Sequence, residues 1–543
     1  MVQDWRARRR LRRSPGRAGR EGPPRDGGRP QVRRVPGRGV HGRERGLQRE
    51  HRGVLPGAQG QRRGERESSG FFFPKFFVFF SFFLFRLTHF FSFPPSSTTT
   101  NNKQQQQQVD YVFVDHPSYP RPGGGFYSDA AGSYGDNQFR FALLSLAALE
   151  APLRLRAELP EQFGPDAYDP DSCVFVANDW HAAMVPVYLA SRFRPHGVYR
   201  GARTVTAIHN LIHQGVFPPS TFESLGVPGN WYGAMEWQYP PHQRMGSYEE
   251  EGRAINTLKA ALTTADRIVT VSPGYAWEIT TPEGGCGLES LLGSRSYVLD
   301  GVLNGVDVEE WSPATDKHLY KKYDASTVEE GKAANKAALQ KELGLPIKPD
   351  APLFAFIGRL DPQKGADLVL MAAPWLVSQG AQVVLLGSGD PRLEDGLRSL
   401  EAAHPESARA WVGFNVPFSH RLTAAADVLL MPSVFEPCGL NQMYAFLAGT
   451  PVVAHATGGL RDTVVPYDPL DETNGSTGWT FSPCNAEAFI AACGHALTMY
   501  RDHPDAFGRL RARCMARDCS WDGSAAQWEQ IFDWSKSDPP YCP

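Results

Sequence analysis

The 543-residue chain has no Cys-x-x-Cys pair; its eight cysteines are scattered from Cys173 to Cys542. That pattern argues against a zinc ribbon or a disulfide framework and fits reduced thiols. There is no Gly-x-Ser-x-Gly elbow, so a hydrolase built on that nucleophile turn is a poor fit. Residues 1–67 lack lysine, carrying 20 Arg and 7 acidic residues for a charge of +13. The remainder has 36 basic and 51 acidic residues, a charge of −15. A nucleic-acid binder needs a basic face, so this acidic body predicts no nucleic-acid partner. The one apolar run long enough to cross a bilayer is 71–93. It is mostly Phe, with Pro74, Lys75, Arg86 and His89 inside and almost no Leu, Ile, Val or Ala. No membrane span is expected.

The first hundred residues change bias four times: Arg/Gly/Pro to residue 70, then Phe, then Ser/Thr/Asn, then Gln104–Gln108. Arg/Gly/Pro-rich sequence without apolar periodicity does not fold alone. It is also too acidic and too poor in Ser for a good plastid transit peptide. Residues 1–108 are therefore expected to be a low-complexity leader, disordered or translated from non-coding sequence; a targeting leader and a membrane anchor are the alternatives.

Ordinary globular sequence starts at Val109. Tyr111–Val114 reads as a short buried strand, and Phe139–Leu149 as an amphipathic helix. Strand-like runs at Cys173–Ala177, Arg203–Ile208 and Arg267–Ser272 alternate with helical ones. A second series begins at Leu353–Ile357 and recurs at 382–387, 410–413, 428–432 and 451–454. Alternating β and α predicts parallel sheets with helical crossovers. The fold class is thus α/β, with two doubly wound, Rossmann-like domains facing a cleft. The first would span 109–345 and the second 346–543. The charged, Ala-rich stretch from about 310 reads as a surface helix and linker between them.

Ligands of such sheets bind just past the strand C-termini. Asp179, His209 and Asn210 occupy that position in the first series. Arg359 and Lys364 follow the first strand of the second series, framed by Gly358 and Gly365. Two fixed cations in a strand-end loop suit a diphosphate leaving group. Glu436 heads a Pro-Cys-Gly turn, Pro437-Cys438-Gly439-Leu440, that runs into an apolar helix. A carboxylate beside free backbone N–H groups suits sugar hydroxyls. The bland alternatives are a solvated basic loop and an acid placed for the helix dipole. A lone His209 could be structural, Asn304 could be turn chemistry alone, and Phe414 could stack on a base or pack in the core. The Asp179/His181 spacing has no third ligand nearby, so no metal site is expected.

These motifs, with Tyr134-Gly135-Asp136-Asn137, Asn178-Asp179-Trp180-His181, Leu303-Asn304-Gly305-Val306-Asp307 and Gly458-Gly459-Leu460-Arg461-Asp462, resemble the starch and bacterial glycogen synthases, glycosyltransferase family five. The likeness runs from Tyr119 to about Phe532 and is greatest to soluble plant and green-algal enzymes. Tyr444, eight positions after Glu436, replaces the second glutamate of many related transferases and favours this family over UDP-glucose users such as sucrose synthases. The resemblance implies the glycosyltransferase B architecture, a plastid location, no cofactor, and transfer of glucose from ADP-glucose to the non-reducing end of an α-1,4-glucan with retention.

It further implies that Arg359 and Lys364 hold the diphosphate, and that Glu436 with Cys438, Gly439 and Leu440 holds the glucose. His209, near Asp179, would lie beside the anomeric carbon with Asn304 at the same site, Phe414 would stack on adenine, and Gly358, Asn210 and Tyr444 would join the substrate site. A non-catalytic glucan-binding paralogue is the other reading. The family's opening strand and Lys-x-Gly-Gly-Leu loop have no counterpart in 1–108, which implies loss of a core strand, poor stability and weak or absent activity.

Overall fold

The structure, a computed structural model, describes residues 77–79, 109–129, 131–158, 168–238, 252–471 and 473–541. All lie within the compact unit Phe72–Pro543. The sequence expectations for the Arg-rich and Gln-rich parts of the leader lie outside the described residues. Among the described residues no helix is long and apolar enough to cross a membrane.

The first domain is built on a five-stranded parallel sheet. Its strands are β1 (Phe77–Phe79), β2 (Val174–Asn178), β3 (Arg203–Ile208), β4 (Arg267–Thr270) and β5 (Leu299–Gly301), in that spatial order. β3 is buried along its whole length and β2 along all but its last residue. Both faces are covered by helices, so these strands read as continuous apolar or small-residue runs rather than alternating ones. The edge strand beside β2 comes from Phe77–Phe79, within the stretch expected to be leader. It pairs in parallel from Phe77 opposite Val174 to Phe79 opposite Val176, so the sheet keeps an edge strand that the sequence reading had taken as lost.

Tyr111–Val114 is not a strand. Tyr111 is exposed and Val112 packs on Leu155 and Tyr168. Asp110 accepts the Tyr168 hydroxyl at 2.5 Å. A short apolar run can place one residue, Val112, on a small satellite cluster without joining a ladder, which period alone does not reveal. The helix expected from Phe139 is present and longer, α1 (Asn137–Glu158). Two further helices follow β4 and β5: α2 (Pro273–Glu278) and the single turn α3 (Val308–Trp311).

The charged stretch before the second domain forms α4 (Val328–Glu342), a surface helix with one face open to solvent at Glu329, Glu330, Lys341 and Glu342 and a polar opposite face packed on the second domain. Lys332, Asn335, Lys336 and Gln340 are all buried. Lys332 Nζ donates to Ala424 O at 2.9 Å, Thr450 Oγ1 at 2.6 Å and Ala448 O at 3.3 Å. Lys336 Nζ pairs with Asp427 at 2.7 Å, and Arg511 meets the same carboxylate at 2.6 Å. Lys336 holds its charge because it is paired with Asp427 and hydrogen-bonded, whereas burial pushes the Lys332 ammonium well below its usual range. Part of the polarity of α4 is solvated, as the sequence implies; the rest, at Lys332, Asn335, Lys336 and Gln340, marks the seam with the second domain.

The second sheet has β6 (Leu353–Ile357), β7 (Gln382–Gly387), β8 (Ala408–Val412), β9 (Val428–Met431), β10 (Val452–His455) and β11 (Gly478–Phe481), all parallel. The spatial order is β8-β7-β6-β9-β10-β11, the doubly wound arrangement whose direction reverses between β6 and β9. Such a reversal opens a crevice at the strand C-termini. Helix α5 (Ala366–Ser378) follows β6, α6 (Asn441–Leu447) follows β9, and α7 (Gly458–Thr463) follows β10. The last helix, α8 (Trp521–Ser537), returns to the first domain. Its Ser535 carbonyl and that of Asp538 accept Arg203 at 2.8 Å and 2.7 Å, and Ile531 and Phe532 pack on the valines of β2 and β3. The two domains form the glycosyltransferase B architecture.

Candidate active site

The loops carrying Arg359–Lys364 and Glu436 leave β6 and β9, the two strands that flank the reversal. Topology therefore brings together residues 72 apart in sequence: Lys364 Nζ lies 2.5 Å from Glu436 Oε2, and Ser433 Oγ donates to the same oxygen at 3.0 Å. The Val434 N–H to Gln363 O bond, at 2.8 Å, ties the loops along their backbones. Gly365 must be glycine: φ is +66°, and a Cβ would stand 2.2 Å from Pro432 O. Glu436 is buried, whereas Arg359 reaches solvent and is held by Asp361 at 2.7 Å and Gln363 at 3.0 Å. Two cations on one strand-end loop can neutralise a diphosphate, and the carboxylate beside them can accept hydroxyls.

Gly358 closes β6, its N–H on Leu386 O at 3.0 Å. Asn441 Nδ2 bonds Ile357 O at 2.7 Å, fixing the start of α6 against the end of β6. Cys438 is buried and its thiol is pushed up to about 11 by that burial, so it is an inert wall rather than a nucleophile. Gly439 has φ +73° and Leu440 is partly exposed. Phe414, after β8, is 90% exposed, which removes core packing as its explanation and leaves a bare ring at the crevice side of the sheet.

Tyr444 faces differently from the rest. Its ring stacks on Trp311 of α3 at 3.8 Å and 13°, and the other face of Trp311 stacks on His420 at 3.7 Å and 16°. His420 in turn bonds Asp316 at 2.7 Å. Tyr444 and Trp311 are half-buried in this stack and His420 is buried.

In the first domain β2 and β3 run side by side with Asn178 opposite Ala207, so their C-terminal loops adjoin. Asp179 Oδ1 accepts the His209 N–H at 2.7 Å and the Asn210 N–H at 3.4 Å. The His209 ring Nε2 is 2.8 Å from Asn178 Oδ1, an arrangement in which the ring N–H donates. Asp179 has φ +52° and ψ −168°, a region that only glycine visits freely, and such strain gathers at functional sites. Burial pushes its carboxyl above the usual range, opposed by His209 and the two backbone N–H groups.

Behind it, buried His181 is held far down, to about 3, by desolvation and then by His213 and His209. Tyr127 stacks on His181 at 4.9 Å, and burial followed by the Asp179 charge raises its hydroxyl. Tyr127 belongs to this cluster and was missed in the sequence reading; it sits in a Gly-rich loop with no motif of its own.

Asn304 adjoins the donor-side turn: its backbone hydrogen bond to Cys438 lowers that thiol against the effect of burial. Ser272 Oγ, just past β4, donates to Pro437 O at 2.7 Å. Thus the strand ends of the first domain meet the Glu436 turn of the second. Ser272 and Gln363 were visible in the sequence as strand-end polar residues, but nothing there showed what they would touch.

Residues 78–294 match the family model described as starch synthase catalytic domain, and 341–509 match glycosyl transferases group 1. Soluble starch synthase 1, chloroplastic/amyloplastic, of Oryza sativa subsp. japonica is 54% identical over 434 residues, covering 80% of this chain and 66% of the rice protein. The Solanum tuberosum protein of the same name is 52% identical over 435 residues, with the same coverage of 80% and 66%. The chain spans about two thirds of the length of these curated relatives. The solved catalytic domain of starch synthase IV from Arabidopsis thaliana, bound to ADP and acarbose, superposes with a TM-score of 0.67 at 32% identity, covering 80% of this chain and 83% of that one. Motifs, switch-point geometry and these matches agree, and the chain belongs to the starch synthase family of glycosyltransferases.

Proposed function

We propose that this chain transfers glucose from ADP-glucose to the non-reducing end of an α-1,4-glucan, with retention, in the plastid. The observation that carries the reading is the Lys364–Glu436 contact across the switch point, with Arg359 beside it. When donor binds, Lys364 and Arg359 take the diphosphate and Glu436 takes glucose hydroxyls, while backbone N–H groups of Cys438–Leu440 close round the sugar. Phe414 offers its bare face to adenine. The glucan 4-hydroxyl then attacks the anomeric carbon on the face that the diphosphate leaves, passing its proton to the departing phosphate oxygen. His209 and Asp179 hold that region, and the rate gain comes from positioning and charge stabilisation. The names of the relatives, chloroplastic/amyloplastic starch synthases, and the ADP and acarbose on the starch synthase IV domain support the donor, acceptor and compartment.

The test is incorporation of labelled glucose into a maltooligosaccharide from ADP-glucose or UDP-glucose, with Glu436→Ala as control. Incorporation from ADP-glucose, lost in the control, is expected. Preference for UDP-glucose would move the chain to another donor class. Folded protein that binds glucan without incorporation would instead favour a binding paralogue, a reading weakened by retention of Arg359, Lys364 and Glu436 together.

A further inference from the structure

One carboxylate of the first domain reaches into the architecture of the donor turn. Glu278, the last residue of α2, places Oε1 2.9 Å from the Gly458 N–H and 3.4 Å from Arg461 Nη2, and Thr457 Oγ1 lies 3.2 Å from both carboxylate oxygens. Thr457 is the residue before α7, and its own side chain makes no cap bond. A helix start leaves N–H groups orphaned, and a carboxylate there satisfies one of them. The cap of α7 therefore comes from the opposite domain.

The next amide carries the effect inward. Gly459 N–H donates to Glu436 O at 3.0 Å. A Cβ on Gly459 would stand 2.2 Å from Cys438 O, so the helix start and the donor turn touch backbone to backbone. A parallel tie runs from Gly274 N–H to Asp462 Oδ2 at 2.7 Å. The chain of contacts is Glu278, then the Gly458–Gly459 amides, then the carbonyl of Glu436.

We propose that Glu278 is a positioning residue for the donor site: by capping α7 across the cleft it fixes the Glu436–Gly439 turn. The proposal rests on the transferase reading and concerns how the first domain shapes the sugar-holding turn of the second. Glu278→Gln keeps an oxygen to accept the Gly458 N–H but loses the charge. Glu278→Ala loses the acceptor.

The experiment measures the ADP-glucose dissociation constant by calorimetry without acceptor, and KM for ADP-glucose and for maltooligosaccharide, on the full chain of both variants. Glu278→Ala is expected to weaken ADP-glucose binding and raise the ADP-glucose KM roughly fivefold, the size of losing one helix cap. Glu278→Gln stays within about twofold of the parent, and the glucan KM hardly moves. Unchanged ADP-glucose binding in Glu278→Ala overturns the proposal. So does equal weakening in both variants, which would make the Arg461 ion pair the cause, and so does a matching rise in glucan KM, which would mean general misplacement of the domains. A parent chain that binds ADP-glucose but incorporates no glucose defeats the transferase reading and leaves the ADP-glucose titration as the test of Glu278.

Discussion

Lys364 and Glu436 give the sharpest test, because their pairing can be structural, functional or both. Their side chains are 23% and 7% exposed and the N···O distance is 2.5 Å. Removing one partner of a fully buried pair costs about 3–5 kcal/mol, because the other charge is stranded. Lys364 keeps some contact with water, so a cost of about 2 kcal/mol is expected for Lys364→Gln. Glu436→Gln strands a less deeply buried cation and should cost less. The double variant Lys364→Gln/Glu436→Gln removes both charges and should recover most of that loss.

Activity should not recover. A charge-stabilising donor at a developing anion contributes about 3–4 kcal/mol, or about 10²–10³ in rate. Glucose incorporation would be measured beside denaturant unfolding for both single variants and the double. A Lys364→Gln variant at least a hundredfold slow, beside a double variant that regains stability without regaining rate, would assign Lys364 to the leaving diphosphate. If Lys364→Gln is destabilised but keeps kcat/KM within threefold, the lysine is only a counterion for Glu436 and the switch-point argument fails.

Three further expectations follow from other parts of the site. Phe414→Ala should raise the ADP-glucose KM by roughly tenfold, the order of one lost aromatic stacking contact. Its melting temperature should stay level, since a ring 90% exposed holds nothing together; a fall in stability with unchanged KM would return Phe414 to a packing role. His181 sets part of the acid limit. Its folded pKa is lowered to about 3 from 6.5, so below pH 6.5 the unfolded chain takes up a proton that the folded one refuses. Stability therefore falls as pH drops from 6.5 toward 3, by roughly 1.3 kcal/mol between pH 7.5 and 5.5. Unfolding curves of His181→Phe should be flatter over that window, and an identical slope would refute the assignment. Asp179→Asn keeps an oxygen for the His209 and Asn210 N–H groups and should leave the fold intact while slowing transfer. Full activity would show that only its hydrogen bonds matter.

Much of this protein was legible before any coordinates. The strands at 353–357 and 382–387 fall where their apolar runs place them, because strands buried on both faces need uninterrupted small and apolar residues. Arg359, Lys364, Glu436, Asp179 and His209 were readable because polar residues just past such strands have few structural reasons to be there. Where the reading failed, polarity or shortness misled it. Lys332 and Lys336 looked solvated, but most of their partners, Ala424 and Asp427 among them, come from residues about 90 or more positions away. Tyr111–Val114 looked like a strand because a four-residue run carries no information about its neighbour. Phe77–Phe79, three residues of a biased Phe stretch, could not announce that β2 would have room beside it.

What the sequence by itself determined is local: the period of each element, the punctuation of the turns, and the chemical types waiting at strand ends. What only the tertiary structure decided is which of those ends meet. Strand order places β6 beside β9 and so joins Lys364 to Glu436; the facing domain sets Glu278 on α7 and Ser272 on the Pro437 carbonyl. Such contacts depend on packing between elements dozens to nearly two hundred residues apart, and no local propensity or spacing encodes them.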